Sequence, residues 1–131
     1  MPRHKYDFSI AYADTDAAGI VYHGRYIEIA ERARMNWLRD KKIPVGDGFV
    51  IKNLNIDYRS PLKLGQDIRV ETEVLRVEDV FLDTAQYFLG PNDKLCATLN
   101  SRVVYVGSDL RPKNIPDDLR RQMLGFVDKQ R

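Results

Sequence analysis

The chain has 131 residues, of which 44% are apolar and 31% charged, and its formal net charge is +2 at pH 7. This length predicts a single domain over residues 1–131, and the balanced charge argues against binding to nucleic acid or to an anionic membrane. The one cysteine, Cys96, excludes an intramolecular disulfide. No apolar run reaches the roughly 18 residues needed to span a bilayer, and the N-terminus lacks a signal-peptide pattern, so we expect a cytoplasmic protein.

The first two elements are predicted from a change of hydrophobic period. Tyr6, Phe8 and Ile10 alternate with polar residues, which is typical of a strand with one buried face. Residues 12–19 are polar and indicate a turn. Helical spacing then predicts a helix from His23 to about Lys41, ~28 Å long. Its apolar face would contain Tyr26, Ile29, Ala30, Ala33, Trp37 and Leu38, with Glu28, Arg32, Arg34 and Arg39 mainly elsewhere.

Four strands are predicted after this helix, at residues 49–60, 68–78, 80–89 and 95–106. Their short connections favour antiparallel pairing of successive strands. A short helix with an apolar stripe follows Pro116, at Leu119, Met123, Leu124 and Val127. The predicted fold is therefore α+β, with one antiparallel sheet against the first helix. Such a small domain with so apolar a helix is expected to form oligomers.

The chemically interesting residues lie between the first strand and the helix. Asp14 and Asp16 could simply be turn formers, or could bind a metal ion with His23. In a third interpretation, one carboxylate is a nucleophile or general base beside the unpaired N–H groups that begin the helix. Those groups would stabilise the oxyanion formed when an acyl carbonyl is attacked.

Other nucleophiles are less favoured by the pattern. The chain has no Gly-x-Ser-x-Gly motif, and Cys96 falls within a predicted strand, where an inert thiol is expected. His23 could be a partner for nearby backbone, could orient Asp16 or could contact the acyl group. Tyr12 and Tyr22 could supply hydroxyls or be core or interface aromatics.

Residues 14–34, DTDAAGIVYHGRYIEIAERAR, closely resemble acyl-CoA thioesterases of the 4-hydroxybenzoyl-CoA thioesterase type, and most of all the bacterial branch whose genes accompany the Tol-Pal envelope system. The segment Tyr58-Arg59-Ser60-Pro61-Leu62, with Gly65 and Asp67, is similar to a strand–turn–strand region of the same family. The resemblance runs from about residue 5 to the last predicted strand. It implies the hotdog fold, a five-stranded antiparallel sheet wrapped around a long central helix, with a short C-terminal helix.

The resemblance also implies an assembly and a site. The unit would be a homodimer joining two sheets into one, often paired again as a homotetramer, with two sites at the dimer interface. Asp16 matches the family's catalytic carboxylate, and the backbone N–H of His23, at the start of the helix with Gly24, would bind the oxyanion. The side chains of Tyr12 and His23 would also belong to the site. No metal or cofactor is required.

Substrate contacts are expected from Tyr22, Tyr26, Arg59, Ser60, Lys63 and Arg76. Some relatives bind nucleotide phosphates with basic and hydroxyl residues at the turn between the middle strands. Here that turn, residues 76–80, contains Glu78 and Asp79, which repel phosphate. Arg59, Lys63, Arg76, Arg111 and Lys113 are the candidate cations. Acyl carrier protein is therefore a possible thioester donor beside CoA.

The predicted function is hydrolysis of an acyl-CoA thioester to free acid and CoA. The sequence leaves open whether Asp16 attacks directly or activates water, and it does not specify the acyl chain. Alternatives are an acyl carrier protein thioesterase, a hydroxyacyl-thioester dehydratase that pairs His23 with Asp16, and a non-catalytic scaffold near lipid synthesis or the cell envelope.

Overall fold

In the computed structural model, which describes residues 3–127, the chain forms one five-stranded antiparallel sheet and two α-helices. This confirms the predicted α+β class and order of elements. Two short 3₁₀ turns, Tyr12–Asp14 and Pro91–Asp93, accompany them. The elements are β1 His4–Ser9, α1 Arg25–Leu38, β2 Gly48–Tyr58, β3 Asp67–Val77, β4 Phe81–Leu89, β5 Leu95–Val106 and α2 Asp117–Leu124.

The strand order across the sheet is β1-β3-β4-β5-β2. Pairing of successive strands, as predicted, is right for β3, β4 and β5 but wrong for β2 and β3, which lie apart. The reason is the connection between them. The N–H groups of Arg59 and Ser60 both donate to the Cys96 carbonyl on β5, and the N–H of Val21 donates to the Leu62 carbonyl. The connection is thus held to β5 and to the segment before α1, and it leads to a different part of the sheet.

Strand β2 lies at one edge of the sheet and pairs only with β5 within the described residues. Its register shifts between Ile51, which faces Val103, and Asn53, which faces Arg102, so Lys52 forms a β-bulge. Val50 and Ile51 are exposed beside the bulge. This edge therefore offers unpaired backbone groups together with apolar side chains.

Helix α1 packs its apolar face on the sheet and contributes to two clusters of buried side chains. Tyr26, Ile29, Ala30 and Ala33 lie in the first cluster, and Trp37 lies in the second. Burial of each large side chain of this kind contributes about 1.5–3 kcal/mol. A hydrogen bond of 2.9 Å from the Gln86 amide to the Ala30 carbonyl adds a polar contact between β4 and the helix.

The helix has 14 residues and is shorter than the predicted span of residues 23–41 at both ends. Before it, His23 and Gly24 form a turn in which the Arg25 N–H donates to the Tyr22 carbonyl, and Tyr22 is itself held by donating its N–H to the Asp14 carbonyl. After it, Ile43 packs on the second cluster, and Pro44 disfavours helical backbone in the residue before it. Tertiary contacts thus set both ends.

Burial around α1 and α2 departs from the predicted faces at three positions. Arg34, expected on the solvent side, is buried. In α2, Leu119 and Met123 are buried, but Leu124 is exposed and Val127 lies beyond the helix, in a parallel bridge with Val74. No helix within residues 3–127 is long and apolar enough to cross a membrane.

Candidate active site

The two acids before α1 have different surroundings. Asp14 is 7% exposed, and its two carboxylate oxygens accept hydrogen bonds from the Ala11 N–H at 2.8 Å and from Arg25 Nε at 2.9 Å. It therefore fixes the turn, as expected of a turn former, and is not free to bind a metal ion with Asp16 and His23. Among residues 3–127, no group of three His, Cys, Asp or Glu side chains is placed to hold a metal ion.

Asp16, in contrast, is exposed and lies in a tight loop. Its backbone N–H donates to the Ile20 carbonyl and its carbonyl accepts from the Gly19 N–H, which closes the loop. Gly19 has φ +76°, a left-handed conformation that favours glycine. The Asp16 carboxylate accepts a hydrogen bond from the Ala18 N–H at 2.9 Å and makes no ion pair within residues 3–127.

The cavity next to Asp16 has a volume of about 290 Å³. It lies between the segment before α1, the first turn of the helix and the end of β2. It contains five of the residues predicted for the site, and four more that were not predicted. The lining residues are Asp16, His23, Tyr26, Arg59 and Ser60 from the prediction, together with Ile20, Val21, Tyr58 and Pro61.

Tyr58 is the polar lining residue that the sequence reasoning missed. Its hydroxyl donates a hydrogen bond of 2.7 Å to the His23 carbonyl, and its ring packs edge-on against Tyr26 at a centroid distance of 5.1 Å. Burial raises the pKa of both Tyr26 and Tyr58, so both phenols stay protonated. Two signals were available, its position at the end of an alternating strand and its place in the family-like segment directly before Arg59 and Ser60.

The start of α1 is tightly packed. Gly24 occupies the N-cap position, and a Cβ atom there would come within 2.9 Å of the Tyr22 ring. That ring lies 4.2 Å from the His23 imidazole, centroid to centroid. None of the backbone hydrogen bonds formed within residues 3–127 uses the N–H of His23 or of Gly24. Both donors at the start of the helix therefore have no acceptor in the described chain.

Several predicted residues do not line this cavity in the single chain. Tyr12 is 82% exposed and Tyr22 is 51% exposed. Gly24 is not among the lining residues. Lys63 is exposed and bridges Ile20 through its main chain. Arg76, on β3, forms an ion pair with Glu78 at 2.7 Å.

The cations considered for phosphate binding are mostly paired already. Arg59, at the cavity, lies 3.2 Å from an oxygen of Asp57, and Lys113 lies 3.1 Å from Asp47. The Arg76–Glu78 pair means that one of the two acids at that turn is neutralised within the chain. Arg59 is the only candidate among the five that lies at the described cavity.

Comparison with known proteins identifies the family. Residues 10–123 match the model of the thioesterase-like superfamily. A Haemophilus influenzae protein named acyl-CoA thioesterase YbgC is 42% identical over 76 residues, which cover 53% of this chain and 56% of the relative. The chain therefore spans little more than half the length of that relative.

Solved structures agree on the fold. A probable thioesterase from Bartonella henselae has a TM-score of 0.78 at 26% identity, covering 87% of this chain and 98% of the other. The Staphylococcus aureus protein SAV2348, solved in complex with CoA, has a TM-score of 0.88, covering 95% and 83%. At 11% identity it supports the fold alone. With its five-stranded antiparallel sheet and packed helix, the chain belongs to the thioesterase-like superfamily, whose members share the hotdog fold.

Proposed function

We propose that the protein hydrolyses acyl-CoA thioesters to a free acid and CoA. The observation that carries the proposal is the position of the Asp16 carboxylate in the same cavity as His23 and the start of α1. A carboxylate beside unpaired helix N–H groups suits acyl transfer, because it supplies the attacking group and the oxyanion site together. The likeness to a protein named acyl-CoA thioesterase supports the same reaction class.

In this mechanism the thioester carbonyl oxygen accepts hydrogen bonds from the N–H groups of His23 and Gly24. Asp16 then acts in one of two ways. As a nucleophile, its carboxylate attacks the carbonyl carbon to form a mixed anhydride and expels CoA thiolate, which takes up a proton. Water then cleaves the anhydride and restores the carboxylate. As a general base, Asp16 instead removes a proton from the water that attacks the thioester directly.

Tyr58 strengthens one of the two oxyanion donors. The His23 carbonyl, which accepts the Tyr58 hydrogen bond, belongs to the same peptide unit as the Gly24 N–H. A hydrogen bond to the oxygen of an amide polarises its N–H, so hydrogen bonds along such a chain reinforce one another. The raised pKa of Tyr58 keeps its hydroxyl available as the donor. We therefore assign Tyr58 as a positioning residue for the oxyanion site.

We further propose a homodimer in which the exposed edge of β2 pairs with β2 of a second copy, with a homotetramer as the larger assembly. An edge strand with unpaired backbone groups and exposed apolar side chains is suited to such pairing. In the dimer, Tyr12, Tyr22, Lys63 and Arg76 could contribute to a site shared between copies, as the resemblance implies. A cytoplasmic location, the 4-hydroxybenzoyl-CoA type and the Tol-Pal-associated branch belong to the same proposal.

The function is tested by replacing Asp16. We expect Asp16→Asn and Asp16→Ala to lower kcat by about 10²–10⁴-fold on acyl-CoA substrates, because the attacking or proton-accepting group is lost. Asp7→Asn is the matched control, since Asp7 is also an exposed acid with one hydrogen-bonded partner, Arg69, and lies outside the cavity. Release of CoA is followed with a thiol reagent. Turnover at the wild-type rate by folded Asp16→Ala protein would reject the proposal.

Two further measurements separate the remaining alternatives. Thiol release with loss of the thioester distinguishes hydrolysis from dehydration, which leaves the thioester intact. Parallel assays with acyl-CoA and acyl carrier protein identify the thioester donor. Single-turnover hydrolysis in ¹⁸O-water distinguishes the roles of Asp16, because label appears in its carboxylate only if an anhydride forms.

A further inference from the structure

Arg34 is a buried cation without a protein partner. Its residue surface is 8% exposed, and it makes no hydrogen bond or ion pair within residues 3–127. Burial also holds the pKa of its guanidinium below the usual range, and among residues 3–127 the charge of Glu31 partly offsets this effect. A guanidinium on a largely buried residue normally has carboxylate or carbonyl partners, because removing an unpaired charge from water is unfavourable. The missing partner therefore suggests a ligand.

Arg34 lines a second cavity, of about 480 Å³, alongside the second half of α1. Leu38, Ile43 and Phe49 line it with apolar surface. It also contains the acids Glu31 and Asp47 and the cations Arg39 and Lys41.

Neither acid neutralises Arg34. Asp47 already accepts hydrogen bonds from the Tyr105 hydroxyl at 2.6 Å and from Lys113 Nζ. Glu31 is exposed to solvent and forms no ion pair with Arg34. The cavity therefore combines apolar walls with a net positive charge, which suits an apolar chain that ends in an anion.

The proposed dimer brings this cavity beside the catalytic one. Within one copy, Tyr58 contacts the start of α1, whereas Phe49 packs near its end, so α1 runs antiparallel to β2. The catalytic cavity lies at the Tyr58 end of β2 and the Arg34 cavity at the Gly48 end. When β2 pairs antiparallel with its copy about a two-fold axis, the Tyr58 end of one strand lies beside the Gly48 end of the other. Each catalytic cavity then faces the partner's Arg34 cavity.

We propose that Arg34 of the partner subunit binds a carboxylate at the far end of the acyl group, so that the substrates are CoA thioesters of dicarboxylic acids. The inference rests on the proposed thioesterase function and dimer. Guanidinium pairs with carboxylate through two parallel hydrogen bonds, which gives both affinity and orientation. Leu38 and Phe49 would cover the methylene groups between the thioester and the carboxylate.

The first test compares matched substrates that carry a terminal carboxylate or a terminal methyl group, at acyl lengths of about four to ten carbons. For wild-type protein, we expect kcat/KM at the best length to favour the carboxylate by about 10-fold or more. Arg34→Met should lower this preference by about 10-fold or more, to near parity, because the carboxylate loses its charged partner. Arg34→Lys, which keeps the charge but not the planar fork, should fall between them.

Arg32→Met is the matched control. Arg32 is an exposed arginine on the same helix and lies outside both cavities, so the preference should be unchanged. If Arg34→Met lowers kcat/KM equally for both substrates, Arg34 has a structural role and the inference is wrong. The inference also fails if the wild type shows no carboxylate preference.

Mixing of subunits tests whether Arg34 acts across the dimer. Asp16→Ala and Arg34→Met proteins are each purified, mixed and allowed to exchange subunits. If Arg34 acts on the partner's site, each mixed dimer contains one intact site, and up to a quarter of the wild-type activity on the carboxylated substrate returns. If Arg34 acts within its own subunit, no intact site forms and no activity returns.

Binding separates failure of this inference from failure of the proposed function. The probe is a non-hydrolysable CoA thioether that ends in a carboxylate, measured by calorimetry against the methyl-terminated analogue. Tighter binding of the carboxylate that is lost in Arg34→Met, in a protein that releases no CoA from any thioester, would reject the hydrolase and keep the anion site. Hydrolysis without a carboxylate preference in kinetics or binding would keep the hydrolase function and reject the anion site.

Discussion

Buried charged groups have partners at one end of α1 and, within residues 3–127, lack them at the other. At the start, Asp14 is buried but paired with Arg25, and the His23 carbonyl accepts the Tyr58 hydroxyl. Along the second half, Arg34 is similarly buried and has no partner within the described chain. Burial of a charge is thus compensated at one end of the helix and uncompensated at the other.

The difference separates groups that hold the fold from groups left for a ligand. Both carboxylate oxygens of Asp14 accept hydrogen bonds from the protein, so this residue stabilises the fold. Asp16, two residues later, lines the cavity instead. An unpaired polar group in a folded chain has a cost that evolution can remove by substitution. Where it persists beside a cavity, binding is the most direct explanation.

Asp14→Ala is expected to have the largest effect, which is on stability. We expect the free energy of unfolding to fall by about 2–3 kcal/mol, because the Ala11 N–H and the Arg25 guanidinium both lose a buried acceptor. Asp16→Ala should change it by no more than about 0.5 kcal/mol, as is usual for an exposed side chain. Urea unfolding followed by circular dichroism measures both. Equal effects at the two positions would remove the contrast between them.

Tyr58→Phe provides a smaller effect, on catalysis. We expect kcat to fall by about 3–10-fold, the value of one hydrogen bond, since the His23–Gly24 peptide loses its polarising donor. Tyr6→Phe is the control, because Tyr6 is a partly buried tyrosine that does not line the cavity and whose hydroxyl forms no hydrogen bond in the described chain. Steady-state kinetics at saturating substrate measure the effect. A change in KM alone would show that Tyr58 assists binding and not the oxyanion.

The smallest effect concerns the second half of α1, where Asn36 Oδ1 accepts a 2.9 Å hydrogen bond from His4 Nε2 on β1. Burial lowers the pKa of His4 below 6.5 in the folded protein. The unfolded chain therefore binds the proton more readily, so the His4 contribution is present above pH 6.5 and is lost as the pH falls through the folded pKa. Unfolding between pH 8 and 5 should show a steeper loss in the wild type than in His4→Gln. If the free energy of unfolding of both proteins changes equally with pH, the His4–Asn36 contact does not contribute to the pH dependence of stability.

The strands could be predicted from the sequence because the alternation of apolar and polar residues along a strand is a local property. All five lie within two residues of their predicted bounds. The strand order could not, because it depends on the segment after β2, which bonds to Cys96 on β5 and to Val21 before α1. The start of α1 was missed for a similar reason, since the turn at His23 and Gly24 follows Tyr22, whose backbone is held by Asp14.

Some residues of the candidate site could also be predicted from the sequence, and others could not. Asp16 and His23 could be predicted because they belong to a continuous motif, and Ser60 to a second one. Tyr58 belongs to that second motif too, but neither the motif nor the alternation gives information on a hydroxyl that bonds to His23, 35 residues earlier in the chain. Arg34 was assigned to the solvent side because its charge outweighed its spacing; its burial is a property of the packed molecule.

The bulge at Lys52 bears on how this protein avoids aggregation. A flat edge with a continuous ladder of free N–H and C=O groups can recruit strand after strand and grow into a fibril. One extra residue twists the edge of β2 and interrupts that ladder next to a positive charge. Such an edge tolerates a single closed, symmetric partner far better than an endless stack, so the irregular position limits how many strands can be added there.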